Sequence, residues 1–260
     1  MKGKKNLFII TGILLSLVFT LTGCSGANGD KGIFSTFFVH PFSTAIHYLG
    51  EFFGGNFGLA IILITLIIRL ALMPLMLKQY KNQLVMKSKM DGLKPEMDDL
   101  QKRIKAEKDP AKQKELQSQM FALYQKHGVN PLNMGCLPIL IQMPILTGFY
   151  YAIRSSTEIA SHSFLWFSLG SPDIGITLIA GVIYFLQFKV SQSSMPAQQQ
   201  QQMKYMGLLS PVMIVMFSLK APAALPLYWT IGGTFLIFQT LISRRLYQSG
   251  KAVETVSAGN

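Results

Sequence analysis

Residues 57–77 read FGLAIILITLIIRLALMPLML, an apolar run with a single charge, Arg69. A run of this length is enough to cross about 30 Å of hydrocarbon as a helix. Arg69 stands eight residues before Leu77, the inner end of the run. At 1.5 Å per residue that is roughly 12 Å of depth. Snorkelling shortens the distance but leaves the site inside the hydrocarbon. On insertion scales an arginine near the centre of a span costs about 2.5–3.5 kcal/mol. A guanidinium cannot shed its charge there. Arg69 therefore requires water, partners or a protein cavity.

Four further apolar stretches follow, at 133–153, 174–190, 203–219 and 223–242. The last two are separated only by Lys220-Ala221-Pro222, which implies a tight hairpin. The expected fold class is an all-α membrane protein of five transmembrane helices. Composition agrees: half of the 260 residues are apolar, 14% are charged, and mean hydropathy is +0.34. That is too apolar for a soluble domain of this size. The net charge of +12 would point to nucleic acid in a soluble protein. Here the basic residues lie in loops between apolar runs, so topology explains them better, and no specific nucleic-acid partner is expected.

Orientation follows from those loops. Residues 78–126 carry eleven lysines and Arg103 against seven acids. The connector 154–173 holds Arg154 against Glu158 and Asp173, while the C-terminal segment adds Arg244, Arg245 and Lys251. By the positive-inside rule the long loop and the C-terminus are cytoplasmic. The N-terminus agrees. Lys2, Lys4 and Lys5 precede the apolar stretch 7–21, which ends in Leu21-Thr22-Gly23-Cys24. This is the pattern of a bacterial lipoprotein signal, with Cys24 acylated on the outer side of the cytoplasmic membrane. The expected organisation is a signal peptide at 1–23, an external lipid-anchored segment at 24–56 and a first span at 57–77. A cytoplasmic hairpin at 78–130, four further spans with their loops at 131–245, and a tail at 246–260 complete it.

Two extramembrane segments have helical spacing. In 33–53, Phe34, Phe38, Phe42, Ile46, Leu49 and Phe53 share one side, with His40, Ser43, His47 and Glu51 on the other. This amphipathic helix is too polar to span. Lying on the outer membrane surface and packing on the ends of the bundle both satisfy its pattern. In the basic loop, Met86, Met90, Leu93, Met97, Leu100 and Ile104 follow a heptad spacing. Glu107-Lys108-Asp109-Pro110 breaks it, and Leu116, Met120 and Leu123 resume it. An antiparallel helical hairpin with an adaptable methionine seam is expected. The glutamine tract 198–202 reads as a flexible cytoplasmic connector.

None of the spans supplies a carboxylate to pair with Arg69; Glu51, Glu158 and Asp173 all lie in external segments. The polar residues at membrane depth are neutral: Thr65 one turn before Arg69, Gln142, Gln187, Tyr228 and Gln239. Such groups line a hydrated pocket around a positive charge without neutralising it. A structural arginine capping carbonyls of a neighbouring helix, or an inner-face topology anchor, are the competing readings. No histidine lies in a span, no nucleophile constellation or phosphate loop is present, and no metal-ligand spacing is found.

Several strings now carry a resemblance. Gly128-Val129-Asn130-Pro131, Gly135-Cys136-Leu137-Pro138 and Ile141-Gln142-Met143-Pro144 are followed by Ser163-Phe164-Leu165-Trp166 and by Pro222-Ala223-Ala224-Leu225-Pro226-Leu227-Tyr228-Trp229. With Ile68-Arg69 and Pro74, they resemble the YidC-type (YidC/Oxa/Alb) membrane protein insertase family over about residues 57–245. The lipoprotein signal is similar to that of members from Gram-positive bacteria, particularly bacilli. The resemblance implies a hydrophilic groove, open to the cytoplasm and lipid, with Arg69 as its positive charge. Thr65, Gln142 and Gln187 would be wall residues, and Tyr228 and Trp229 would be associated with the substrate helix. It implies insertion and folding of nascent membrane proteins in the lipid bilayer, alone or beside the Sec translocon. Ribosome contact through the tail is weakly supported, because the tail beyond Arg245 is short. Action as a monomer, without cofactor, metal or covalent catalysis, is expected. Division of labour with a paralogue, including in sporulation, stays open. A small anion transporter or a holding chaperone are the rival classes; an internal repeat would favour the transporter, and none is found.

Overall fold

The computed structural model describes residues 34–129, 136–192 and 197–257. The signal segment and Cys24 lie outside the described residues, as do residues 130–135 of the proline-rich motif. A π-helical turn, Ser35–Val39, leads into α1 (His40–Phe52). There follow α2 (Phe57–Ala106), α3 (Pro110–Lys126), α4 (Cys136–Ser155) and the short α5 (Thr157–Ser161). A two-stranded antiparallel hairpin, β1 (Ser163–Phe164) and β2 (Phe167–Ser168), precedes α6 (Ile174–Gln192), α7 (Ala197–Ser218) and α8 (Ala224–Ser257).

The α2 helix begins where the sequence permits. Gly54 and Gly55 take positive φ and turn the chain. The Asn56 side chain then accepts from the Leu59 N–H at 3.1 Å, capping the first turn. From there α2 runs 50 residues without interruption, through Pro74 and Pro95. It passes Lys78, where apolar sequence gives way to charged, because that change alters the preferred solvent and not the helix propensity.

Three described helices contain segments long and apolar enough to cross a membrane: Phe57–Ala106, Ile174–Gln192 and Ala224–Tyr247. Gly207–Ser218 is a shorter apolar segment. The main pairings are α6 with α8, α2 with α8, and α6 with α7. Ile61, Ile64, Phe149, Ala180, Leu225 and Leu227 lie in their common core. Small residues set the spacing. A Cβ on Gly207 would fall 1.8 Å from the Phe188 ring, and one on Gly181 would fall 2.6 Å from Val215. Close backbone approach of this kind is how helices associate where lipid supplies no hydrophobic contrast.

The α1 helix packs on the bundle, against α2 and α4. Ile46 is fully buried, and the Phe42 ring meets Phe149 edge-on at 5.9 Å. His47 links this helix to α5, with Nδ1 at 2.9 Å from Glu158, and its Nε2 lies 3.4 Å from Glu51.

At the other end, the far half of α2 folds back on α3. Met90, Leu93, Met97, Leu123 and Val129 form a second buried cluster, with Met86, Leu100, Met120 and Tyr124 packed against it. The break falls at the acidic turn. Glu107 accepts from the Lys108 and Asp109 N–H groups at 3.0 Å, and Asp109 accepts from Ala111 at 2.9 Å. Asp109 is thus the N-cap of α3 and Pro110 its first residue.

One expectation is corrected. The glutamine tract 198–202 is not an open connector but the first turns of α7. Glutamine is a good helix former, and no glycine or proline follows Pro196 until Gly207. Beyond Arg245 the chain likewise continues as α8 to Ser257.

Candidate functional site

Arg69 and Thr65 lie one turn apart on the same face of α2. Thr65 is buried, and its hydroxyl donates to the Ile61 carbonyl at 2.7 Å. Its proton is therefore committed to its own helix, leaving only acceptor capacity towards neighbours. Arg69 is half-buried. Opposite it stands Gly232 of α8. A Cβ there would lie 2.8 Å from Arg69 Nη2 and 3.3 Å from Nε, so the guanidinium lies against bare α8 backbone.

One turn before Gly232 is Tyr228, only 2% exposed. Its hydroxyl accepts from Gln142 Nε2 at 2.7 Å, tying α4 to α8. The Tyr228 ring packs 4.6 Å from Phe149. Trp229, beside it, is buried in the hydrophobic core. From α6 comes Tyr184, which lies within electrostatic reach of both Arg69 and Tyr228. Its ring fills the space beside Gly233.

The structure thus gathers Arg69, Thr65, Gln142 and Tyr228 from α2, α4 and α8. Gln187 is placed differently. Its amide nitrogen donates to Ser191 at 3.0 Å on its own helix, towards the end of α6. Tyr184 and Gly232 were absent from the sequence-based set. Tyr184 had a signal: Ile176, Ala180, Tyr184 and Phe188 recur every four residues and form the inward stripe of α6. Gly232 had none, since a glycine in a span is commonplace.

Electrostatically the site is one-sided. No described carboxylate pairs with Arg69. A positive charge with no described carboxylate partner favours incoming negative charge over cations. Among the described residues no group of three His, Cys, Asp or Glu could hold a metal. A cavity of about 400 Å³ at the tip of the α2–α3 hairpin is lined by Arg103, Glu107, Lys112 and Glu115 among others. Its charges are of both signs and far along α2 from Arg69.

Comparison with known proteins agrees on one family. The family model described as 60Kd inner membrane protein matches residues 48–251. Membrane protein insertase YidC 2 of Listeria monocytogenes serotype 4b (strain F2365) is 49% identical over 248 residues, covering 95% of this chain and 90% of that protein. Membrane protein insertase MisCB of Bacillus subtilis (strain 168) is 45% identical over 254 residues, covering 95% and 92%. Among solved structures, an active YidC insertase crystal structure with the first transmembrane domain resolved superposes with a TM-score of 0.55 at 27% identity. That match covers 85% of this chain and 49% of the solved one, so the chain spans about half the length of that protein.

Proposed function

The chain belongs to the 60Kd inner membrane protein family, the YidC-type insertases, and from that premise we propose that it inserts membrane proteins through a polar groove centred on Arg69. Five spans form the groove, with α4 and α7 adding to α2, α6 and α8. The α2–α3 hairpin and the C-terminus face the cytoplasm, and Cys24 carries a lipid anchor outside. The observation that carries this reading is Arg69 itself: a charge at span depth, facing the bare backbone at Gly232, with no carboxylate among the described residues paired to it.

A nascent segment meets the cytoplasmic hairpin first. Its polar or acidic terminal stretch enters the groove, where Gln142, Tyr228 and Thr65 replace some of its lost water and Arg69 attracts its charge. Burying a polar group costs much less when hydrogen bonds are offered on the way. The apolar part of the segment moves along the lipid-facing side into the bilayer, and hydrophobic transfer drives the step. Membrane potential assists acidic stretches moving outward, by about 2.3 kcal/mol per charge per 100 mV. No bond is made or broken. Clients are taken directly or beside the Sec translocon, and the basic hairpin offers the ribosome a charged surface.

The test is depletion and replacement with Arg69→Ala and Arg69→Lys. Two small clients are followed, one with an acidic external terminus and one with a neutral terminus. Alanine is expected to slow the acidic client about tenfold, equivalent to ~1.4 kcal/mol, while lysine retains most activity. Wild-type rates for both variants would overturn the groove-charge mechanism.

A further inference from the structure

The Ser163-Phe164-Leu165-Trp166 string has no part in the site around Arg69. Ser163 and Phe164 are β1, and Leu165-Trp166 is the two-residue turn of the β1–β2 hairpin, in which Phe164 pairs with Phe167. The hairpin is seated at the N-terminal end of α2. Phe167 is buried, and Phe164 lies so close to Gly58 that a Cβ there would come within 2.1 Å of its ring. The two turn residues point the other way: Leu165 is 72% exposed and Trp166 is 58% exposed. Leu165 has a φ of 55°. Turns of this length normally place glycine where φ is positive. A strained leucine whose side chain leaves the protein stabilises nothing inside it.

The turn adjoins the exposed apolar face of a helix long and apolar enough to span a membrane. Ile174, Leu178, Val182 and Leu186 are exposed at every fourth residue of α6, a helix apolar enough to span. That stripe faces lipid. Asp173 caps the same helix, accepting from the Ile176 N–H at 2.9 Å. The Trp166 indole N–H points to the same Asp173 oxygen at 3.4 Å. Gly175 leaves room for the ring, since a Cβ there would lie 3.0 Å from the indole nitrogen. The indole thus straddles the polar cap and the first apolar residue of the stripe. No residue from 163 to 172 is charged.

We propose that the Leu165–Trp166 turn is a lipid anchor, dipping into the leaflet at the N-terminal end of α2 with its indole at the glycerol level. That leaflet is the outer one in the orientation proposed above. An amphipathic ring with its N–H towards water and its face towards acyl chains suits that depth. The anchor has structural reach: Ala223 and Ala224 donate to the Ser171 and Leu169 carbonyls at 3.0 and 3.1 Å, so the turn also sets the depth at which α8 begins.

The chain has two tryptophans, Trp166 and Trp229. In full-length protein carrying Trp229→Phe and reconstituted in nanodiscs, Trp166 reports alone. Its emission is expected to be blue-shifted, quenched most by lipids brominated near the top of the acyl chain, and little affected by iodide. Adding Leu165→Asn tests the turn itself, because asparagine tolerates positive φ while removing the apolar side chain. Bromolipid quenching should fall by about half or more, with helicity unchanged. Quenching by iodide and not by bromolipid places the turn in water and overturns the proposal. Protection from both quenchers means that protein covers it, a second copy included, and overturns it equally. Unchanged bromolipid quenching in Leu165→Asn would remove Leu165 from the anchor and overturn the two-residue form proposed.

Discussion

Gly232 governs where the Arg69 guanidinium sits, and this makes it a sharper probe of the site than Arg69 itself. The three atoms nearest to a methyl group at Gly232 all belong to the flexible end of Arg69, the first 2.8 Å away. The arginine moves and the helix does not. Alanine is also the better helix former by about 1 kcal/mol. Gly232→Ala is therefore expected to keep or raise the thermal midpoint in detergent while slowing insertion of an acidic-terminus client up to about tenfold, ~1.4 kcal/mol. A neutral-terminus client should be spared. Protease protection of the two clients, measured beside the melting curve, checks both halves; equal slowing of both clients would mark a general packing defect. At this scale the sequence was informative wherever polarity broke an apolar run. Arg69, Gln142 and Tyr228 stood out in that way and lie together or in hydrogen-bond contact. Gln187 stood out too, but polarity carries no facing direction, and its amide turns to Ser191. Tyr184, three positions earlier, passed as one more apolar aromatic.

Among the elements, the hairpin was legible down to its seam because heptad spacing and an acidic Pro turn are local signals. Met90, Leu93, Met97 and Leu123 are buried as the spacing requires. Its continuity with the first span was not legible. Hydropathy changes at Lys78, whereas helix formation depends on backbone propensity, which does not change there. In the glutamine tract low complexity suggests looseness, but glutamine sustains a helix. The hairpin turn carries its own test. Asp109 is the side-chain cap of α3, and Glu107 holds the two N–H groups before it. Asp109→Ala should cost about 0.5–2 kcal/mol, confined to this arm. Hydrogen exchange is expected to quicken at the amides of 111–116 and stay unchanged in α6 and α8. An unchanged rate in α3 would mean that the tertiary seam alone fixes the helix start.

For the molecule as a whole, the described residues form two apolar clusters joined by one helix. The cluster around Ile61, Phe149 and Leu227 sits among the spans, where neighbouring lipid is as apolar as the core. Its cohesion rests on close packing at glycines and on interhelical hydrogen bonds such as Gln142 to Tyr228. The hairpin cluster around Met97 lies beyond the apolar segment, on an arm rich in lysine and acid, and rests on the hydrophobic effect in water. Urea weakens the second kind of cohesion directly, while detergent shields the first. Full-length protein in micelles should therefore lose helicity in two steps, the hairpin first. Met97 is 1% exposed at the centre of the seam, and truncating such a side chain costs about 2–5 kcal/mol. Met97→Ala is expected to move the first urea midpoint downward and leave the second in place, as read by circular dichroism alongside the Tyr and Trp emission of the bundle. One cooperative transition, displaced as a unit by Met97→Ala, would mean that the continuous α2 helix transmits hairpin stability into the membrane. The hairpin would then be coupled to the groove instead of being free to open while the spans hold.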